Sequence, residues 1–231
     1  MDRFSLKITL FIVGLTLLLG LAVGSAQNSR DVAIILKSTG DVRVKKSATN
    51  RWNRGDRGFR LDSGDVIKTA TNSLAAVMFT DDKSLLKVRD NSVLAIRGER
   101  EPKTISKRLF CTLGSLWIKV GKQKTNLVVE TPSGIAAVKG TEFYCVVDSD
   151  GATTIIAIEG IVQLINELGQ ILVQAGETGK LTKDGAPFKY QSKSEEVPDW
   201  GGEGAGEREL RLEFQDNAGN RKELIIKYQE N

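Results

Sequence analysis

Residues 131–143 read Thr131-Pro132-Ser133-Gly134-Ile135-Ala136-Ala137-Val138-Lys139-Gly140-Thr141-Glu142-Phe143, and this punctuation is that of strand, turn and strand. Pro132 has no amide hydrogen to give to a ladder, and Gly134 reaches positive φ without a Cβ clash, so the pair ends the run Leu127–Glu130 and turns the chain. A new strand starts at Ile135 and runs to Val138. Gly140 interrupts it just before Thr141, where a missing Cβ suits a bulge or a close backbone approach. Beyond it Phe143, Cys145 and Val147 alternate onto one face. None of these side chains forms a nucleophile–base pair or a ligand cluster, so the stretch reads as a structural corner.

Outward from that corner, the chain from Asp31 on shows short apolar runs of period two separated by Gly, Asp, Asn and Ser, with no long helical period. The predicted strands are 32–36, 42–45, 66–69, 74–79, 85–88, 93–96, 107–113, 116–120, 126–130, 135–138, 142–147, 153–159, 161–165 and 171–174. Several open on a glycine, at Gly40, Gly114, Gly134, Gly160 and Gly169, which suggests successive stacked rungs. The fold class is therefore all-β, either an irregular β-solenoid-like unit or a sandwich, followed by a C-terminal β-hairpin. Arg97–Arg108, a mixed-charge run around Pro102, reads as an exposed loop. Residues 189–206, rich in Gly and Glu around Trp200, read as a linker. Beyond it, Glu209–Phe214 and Glu223–Tyr228 alternate about Asp216-Asn217-Ala218-Gly219-Asn220, a hairpin signal. A lone hairpin is marginal in water, so Leu210, Leu212, Phe214, Leu224, Ile226 and Tyr228 are expected to form a buried face against the main domain.

Two blocks of this sequence resemble the FecR domain, the periplasmic part of the ferric-citrate type transmembrane regulators. One is Thr131-Pro132 with the small apolar run and Lys139-Gly140-Thr141-Glu142-Phe143. The other is Leu61-Asp62-Ser63-Gly64-Asp65-Val66-Ile67-Lys68-Thr69, followed by Ser73–Phe79, Asp81-Asp82 and Leu85–Ile96. The resemblance covers roughly residues 31–179 and implies a solenoid-like all-β fold. The positions that carry it, Gly64, Asp65, Thr69, Thr131, Pro132, Gly140, Thr141, Glu142 and Phe143, are expected to be structural. The resembled regulators place a cytoplasmic sigma-factor-contacting segment before a membrane span. Here only Met1–Lys7 precede an apolar run, so the resemblance implies an exported interaction module rather than an anti-sigma activity.

Arg3 and Lys7, the apolar run Ile8–Val23 and the small residues Gly24-Ser25-Ala26 have the three parts of a signal peptide, with cleavage expected after Ala26. The rival is an uncleaved anchor, for which the run is short. The expected organisation is then a signal peptide at 1–26, a FecR-like all-β domain at 27–188, the linker at 189–206 and the hairpin at 207–231. The expected location is periplasmic or secreted, with no membrane span after cleavage. Net charge is +4 over 231 residues; losing Arg3, Lys7 and Asp2 with the leader lowers it by one. Such a mild bias, in an exported chain, argues against nucleic acid as a partner.

The chain has no His, which excludes histidine triads, His metal sites and imidazole acid–base catalysis. Two Cys without His make a zinc site improbable, and no phosphate-cradling Gly loop occurs. A glycosidase-type carboxylate pair would have to come from Asp81 with Asp82, or Glu142 with a partner. Neighbouring Asp81 and Asp82 point to opposite faces of an extended chain and fit a hairpin turn better. Asp148-Ser149-Asp150-Gly151 resembles half a calcium loop but lacks the downstream bidentate Glu, and reads as a tight turn. The expectation is a protein without catalytic residues, metal or cofactor.

Cys111 and Cys145 each share a face with large apolar residues, so both should point into the core. A disulfide requires their Cα atoms within about 7 Å, and the alternative is two buried free thiols. Arg43, Lys45, Lys46, Arg51, Arg54, Arg57 and Arg60 form the strongest basic cluster, a candidate polyanion contact. The functional expectation is an exported module binding an envelope protein through sheet edges or the C-terminal hairpin. The alternative is a cell-wall or anionic polysaccharide binding module using the basic cluster with Trp52 and Trp117.

Overall fold

The computed structural model describes residues 31–101, 104–121 and 127–198, and the backbone of 208–215 and 221–228. The leader over 1–26, Pro102, Trp200 with the later part of the expected linker, the 216–220 turn and the side chains of the hairpin lie outside the described residues. Almost all of the regular structure is strand, and the strands between residues 31 and 191 form one large, mostly antiparallel sheet that is not closed.

This sheet is folded into two facing layers. The first runs, in paired order, β4 (Arg60–Asp62), β1 (Asp31–Thr39), β6 (Leu74–Phe79), β7 (Leu85–Val88), the C-terminal part of β9 (Thr104–Lys119), β12 (Glu142–Val147), β13 (Thr153–Glu159), β16 (Glu177–Leu181) and β17 (Phe188–Gln191). The second runs β3 (Trp52–Arg54), β2 (Val42–Lys45), β5 (Val66–Thr69), β8 (Val93–Glu101), the N-terminal part of β9, β10 (Leu127–Thr131), β11 (Gly134–Val138), β14 (Ile161–Asn166) and β15 (Gly169–Gln174). The β9–β10 pair is parallel, and the others are antiparallel. From β10 onward hairpins alternate between layers, two strands at a time.

Period two explains the core. Ala75, Val77 and Phe79 of β6, Leu116 and Ile118 of β9, and Phe143, Cys145 and Val147 of β12 line the first layer's inner face. Val42 and Val44, Leu94 and Ile96, Val129, and Val162 and Leu164 line the second's, and all of them join one buried cluster. The layers touch closely enough that a Cβ on Gly179 of the first would meet Leu164 Cδ1 and Val173 Cγ2 of the second at 2.5 Å. Apolar burial on this pattern is the main stabilising term, at about 25 cal/mol per Å².

The sequence reading needs correction at three places. Arg97–Arg108 is no exposed loop: β8 extends to Glu101 and β9 begins at Thr104, with Arg97 opposite Arg108 and Gly98 opposite Lys107. The short strands β3, β4, β16 and β17 were not anticipated, and β17 with a one-turn 3₁₀ helix at Ser194–Glu196 occupies the start of the expected linker. The expected strands 107–113 and 116–120 are one 16-residue strand. The hairpin does form, as β18 (Arg208–Gln215) paired with β19 (Arg221–Tyr228) in a separate two-stranded sheet.

β9 changes layer at Gly114. Its φ of +109° lies where a side chain is strained. A Cβ there would overlap the Ser92 hydroxyl and lie 2.5 Å from Ser92 Cα, while that hydroxyl accepts the Ser115 N–H at 3.0 Å. Gly114→Ala should therefore lower the unfolding free energy by about 3 kcal/mol. Urea denaturation followed by tryptophan fluorescence checks this, and an unchanged midpoint would show that the crossing does not need glycine.

Candidate functional site

The motif residues are turn and tie points. Gly64, at φ +90°, donates its N–H to the Ile96 carbonyl at 2.7 Å. Asp65 is fully buried; its carboxylate accepts the Ser47 N–H at 2.8 Å, the Asp62 N–H at 2.9 Å and Lys46 Nζ at 2.6 Å. Thr69 donates its hydroxyl to the Arg89 carbonyl and accepts the Ser92 N–H at 3.0 Å. In the second block, Thr131 Oγ1 donates to the Gly134 carbonyl at 3.0 Å and accepts from Thr153 Oγ1 at 2.8 Å, which itself accepts from Ser133 Oγ at 2.8 Å. Pro132 stands exposed in that turn. Gly140 has φ +62°, Thr141 and Phe143 are buried, and the Thr141 carbonyl accepts the Val120 N–H at 2.9 Å. Glu142 lies on the outside, accepting Trp117 Nε1–H at 3.2 Å and pairing with Lys119 at 2.9 Å.

A second cluster adds to Asp81 and Asp82 a residue that the sequence reading missed, Lys107. Ile105, Lys107, Leu109 and Cys111 occupy the inward row of β9, so a lysine stands at a core position. Its Nζ lies 2.8 Å from Asp81 Oδ2 and 2.7 Å from Asp82 Oδ2, and 5.3 Å from the Phe79 ring centroid. The side chains of Lys107 and Asp82 are 1% exposed and that of Asp81 is 6% exposed. Asp81 and Asp82 lie in the β6–β7 turn, where the sequence reading put them, and the turn rather than an extended chain lets both carboxylates reach Lys107. Burial pushes the Asp81 carboxyl up, but hydrogen bonds from Lys107 and the Ile105 N–H, with the Lys107 charge, hold it below its ordinary value. While the cluster is ionic, that stability is present above the ordinary Asp range and is lost as pH falls through the lowered pKa. The signal was available: the Leu109–Cys111 phase extended backwards puts Lys107 inside.

The basic cluster is split. Lys46 is turned to Asp62 and Asp65, and Arg60 to Asp31. Arg43 and Lys45 lie opposite Arg54 and Trp52 across β2–β3, and Arg43 opposite Lys68 across β2–β5, so these five share the outer face of the second layer. Arg43 pairs with Asp41 at 2.6 Å and Arg54 with Asp56 at 2.9 Å, both exposed and so weak. Arg51 and Arg57 are exposed nearby. Trp117 is elsewhere, on the outer face of the first layer beside Tyr144, with Lys87 Nζ 5.0 Å from its ring centroid.

Cys111 and Cys145 are both buried and carry unbonded thiols in this structure. Burial pushes the Cys111 thiol up to about 12, and burial together with the nearby Cys111 pushes Cys145 well above its ordinary value. Asp148–Gly151 forms a turn, with the Asp148 carbonyl accepting the Gly151 N–H at 2.9 Å and Asp150 Oδ1 accepting the Ala152 N–H at 2.9 Å. Among the described residues no group of His, Cys, Asp and Glu could hold a metal ion, and no helix is long and apolar enough to cross a membrane.

Both motif blocks thus sit in turns of one two-layered β fold, and residues 65–163 match the family model described as FecR protein. Over these residues the chain is similar to a FecR domain. The family is generally non-enzymatic. No curated protein sequence matches the chain. Two crystal structures of a proposed anti-sigma factor from Parabacteroides distasonis are similar, each at 13% identity, with TM-scores of 0.51 and 0.49. Each match covers 58% of this chain and 63% of the other, so the chain spans less than two thirds of their length. The first of these likenesses bears on the fold alone. The FecR-like region so defined runs from β5 into β14, and strands on both sides complete its layers.

Asp65 gives this assignment a physical test. Asp65→Ala strands the Ser47 and Asp62 amides and Lys46, at a cost of about 3 kcal/mol. Asp65→Asn should cost less, because its amide oxygen still accepts an N–H. Denaturant midpoints order the two, and equal losses would contradict the hydrogen-bond account.

Proposed function

We infer that this protein is a non-catalytic, exported interaction module whose FecR-like domain binds another protein of the cell envelope through the free strand edges at its C-terminal end. One observation carries the reading. β15 pairs only with β14 and β17 only with β16 among the described residues, and around them Ile158, Ile161, Leu168, Leu172 and Phe188 are 40% to 56% exposed. β15 itself, Gly169-Gln170-Ile171-Leu172-Val173-Gln174, holds no charge. An uncharged, partly apolar edge is what an added strand from a partner would use. The FecR match and the proposed anti-sigma role of the similar structures support a signalling partner that is a protein.

Leu172→Lys charges this edge without touching the core, and should leave stability within about 0.5 kcal/mol of the parent. It should also abolish cross-linking to the envelope partner that the parent protein captures through a photoreactive residue at Gln174. Retained cross-linking would remove β15 from the interface. The second reading, an anionic cell-wall polymer on the Arg43, Trp52, Arg54 and Lys68 face, predicts salt-sensitive retention on cell-wall material that Arg43→Glu with Arg54→Glu abolishes.

Export rests on the sequence of residues 1–26. Mass spectrometry of the protein from the envelope fraction should give Gln27 as the first residue. An intact Met1 there would make the protein membrane-anchored.

A further inference from the structure

Lys107 is held in a way that ion pairing alone does not require. A buried ammonium is costly even when paired, and here it faces two carboxylates, which leaves an excess negative charge inside the fold. The two oxygens of Asp81 also differ. Oδ2 accepts from Lys107 Nζ at 2.8 Å, from the Ile105 N–H at 2.8 Å and from the Thr104 hydroxyl at 3.3 Å. Oδ1 is buried and has no hydrogen-bond partner. Asp82 is fixed separately: its Oδ1 accepts the Ser84 N–H at 2.9 Å, and its Oδ2 lies 2.7 Å from Lys107 Nζ. An amine is thus clamped against a carboxyl group with one oxygen cradled by donors and the other unengaged, and a second carboxylate touches the same amine.

We propose that Lys107 and Asp81 condense to an intramolecular isopeptide bond, with Asp82 carrying the protons. Asp82 first relays a proton from Nζ to Asp81 Oδ1, converting the buried ion pair into a free amine and a neutral acid, the minor form from which reaction proceeds. The Nζ lone pair then adds to Asp81 Cγ. Charge that develops on Oδ2 falls on the Ile105 N–H and the Thr104 hydroxyl, donors already in place. Asp82 takes a second proton from Nζ and passes it to Oδ1, and the Cγ–Oδ1 bond breaks to release water. Nζ begins with three protons and keeps one, and the other two leave in the water. Net charge is unchanged, and no oxidant, reductant or metal enters. Holding amine and carboxyl in contact replaces an encounter that would be slow in solution.

The bond would join β9 of the second layer to the β6–β7 turn of the first. The test is the intact mass of the purified, denatured parent protein, which should fall short of its sequence mass by one water. Tandem mass spectrometry of a tryptic digest should give a branched peptide linking Lys107 to Asp81, with no cleavage after Lys107. Asp82→Asn and Lys107→Arg should each restore the full sequence mass. A parent protein at full mass, with Lys107 open to acylation after denaturation, overturns the proposal, and this readout does not depend on any variant folding. Loss of water without a link to Lys107, as in a succinimide at Asp81, or a link through Asp82, overturns it equally.

Discussion

Everything in the two-layered body depends on one strand belonging to both layers. β9 is flanked by β8 and β10 along its first part and by β7 and β12 along its second. Among the described residues, no register joins β1–β8 to β10–β17 except through it. Both halves of the chain are therefore templated on the same backbone, which passes from the second layer to the first at Gly114. A sheet this long would otherwise coil or split under its own twist. Sharing a central strand lets it fold over instead and bury one apolar face of each half.

The two blocks that resemble the FecR pattern lie one on each side of this spine, and their chemistry is that of hydrogen-bond satisfaction. Asp65 gathers amides from 47 and 62, Thr69 ties the β5 end to the turn before β8, and Thr131 with Ser133 and Thr153 closes a buried hydroxyl group of three between layers. Each leaves buried polar groups paired where the chain turns. A motif of this kind marks a fold. Most of its groups are consumed by the protein's own turns.

The strand order along the chain was legible because period two and glycine punctuation are local signals. Gly140 and Gly134 were readable as special positions, and both have positive φ. The misread stretch, Arg97–Arg108, failed for a physical reason: at a long hairpin that projects past its neighbours, outward positions are solvated on both strands, so Arg97, Glu99, Ser106 and Arg108 mimic a loop. The inward row there contains Lys107, a type that does not signal burial, and Gly98, which has no side chain to show an apolar phase. β3 and β4 are three residues each and owe their form to β2 and β1, a tertiary influence on weak local preference. The convergence of Asp81 and Asp82 depends on turn geometry between strands far apart in sequence from β9, which no local pattern encodes.

The two ends of the body differ in a way that follows from the same construction. Hairpins added to a shared spine must stop somewhere, and the last strand in each layer has unpaired amides and carbonyls. At the N-terminal end β3 reads Trp52-Asn53-Arg54, with Arg51, Asp56 and Arg57 around it, and charge of this density discourages pairing with another strand. The end at β15 carries no such charge and is ringed by exposed Leu and Ile. Short, strongly polar edges would have protected it equally well at no cost to the core, since these side chains face outward. One edge is thus guarded by charge and the other is not, so the two ends of the body differ in their capacity for strand addition.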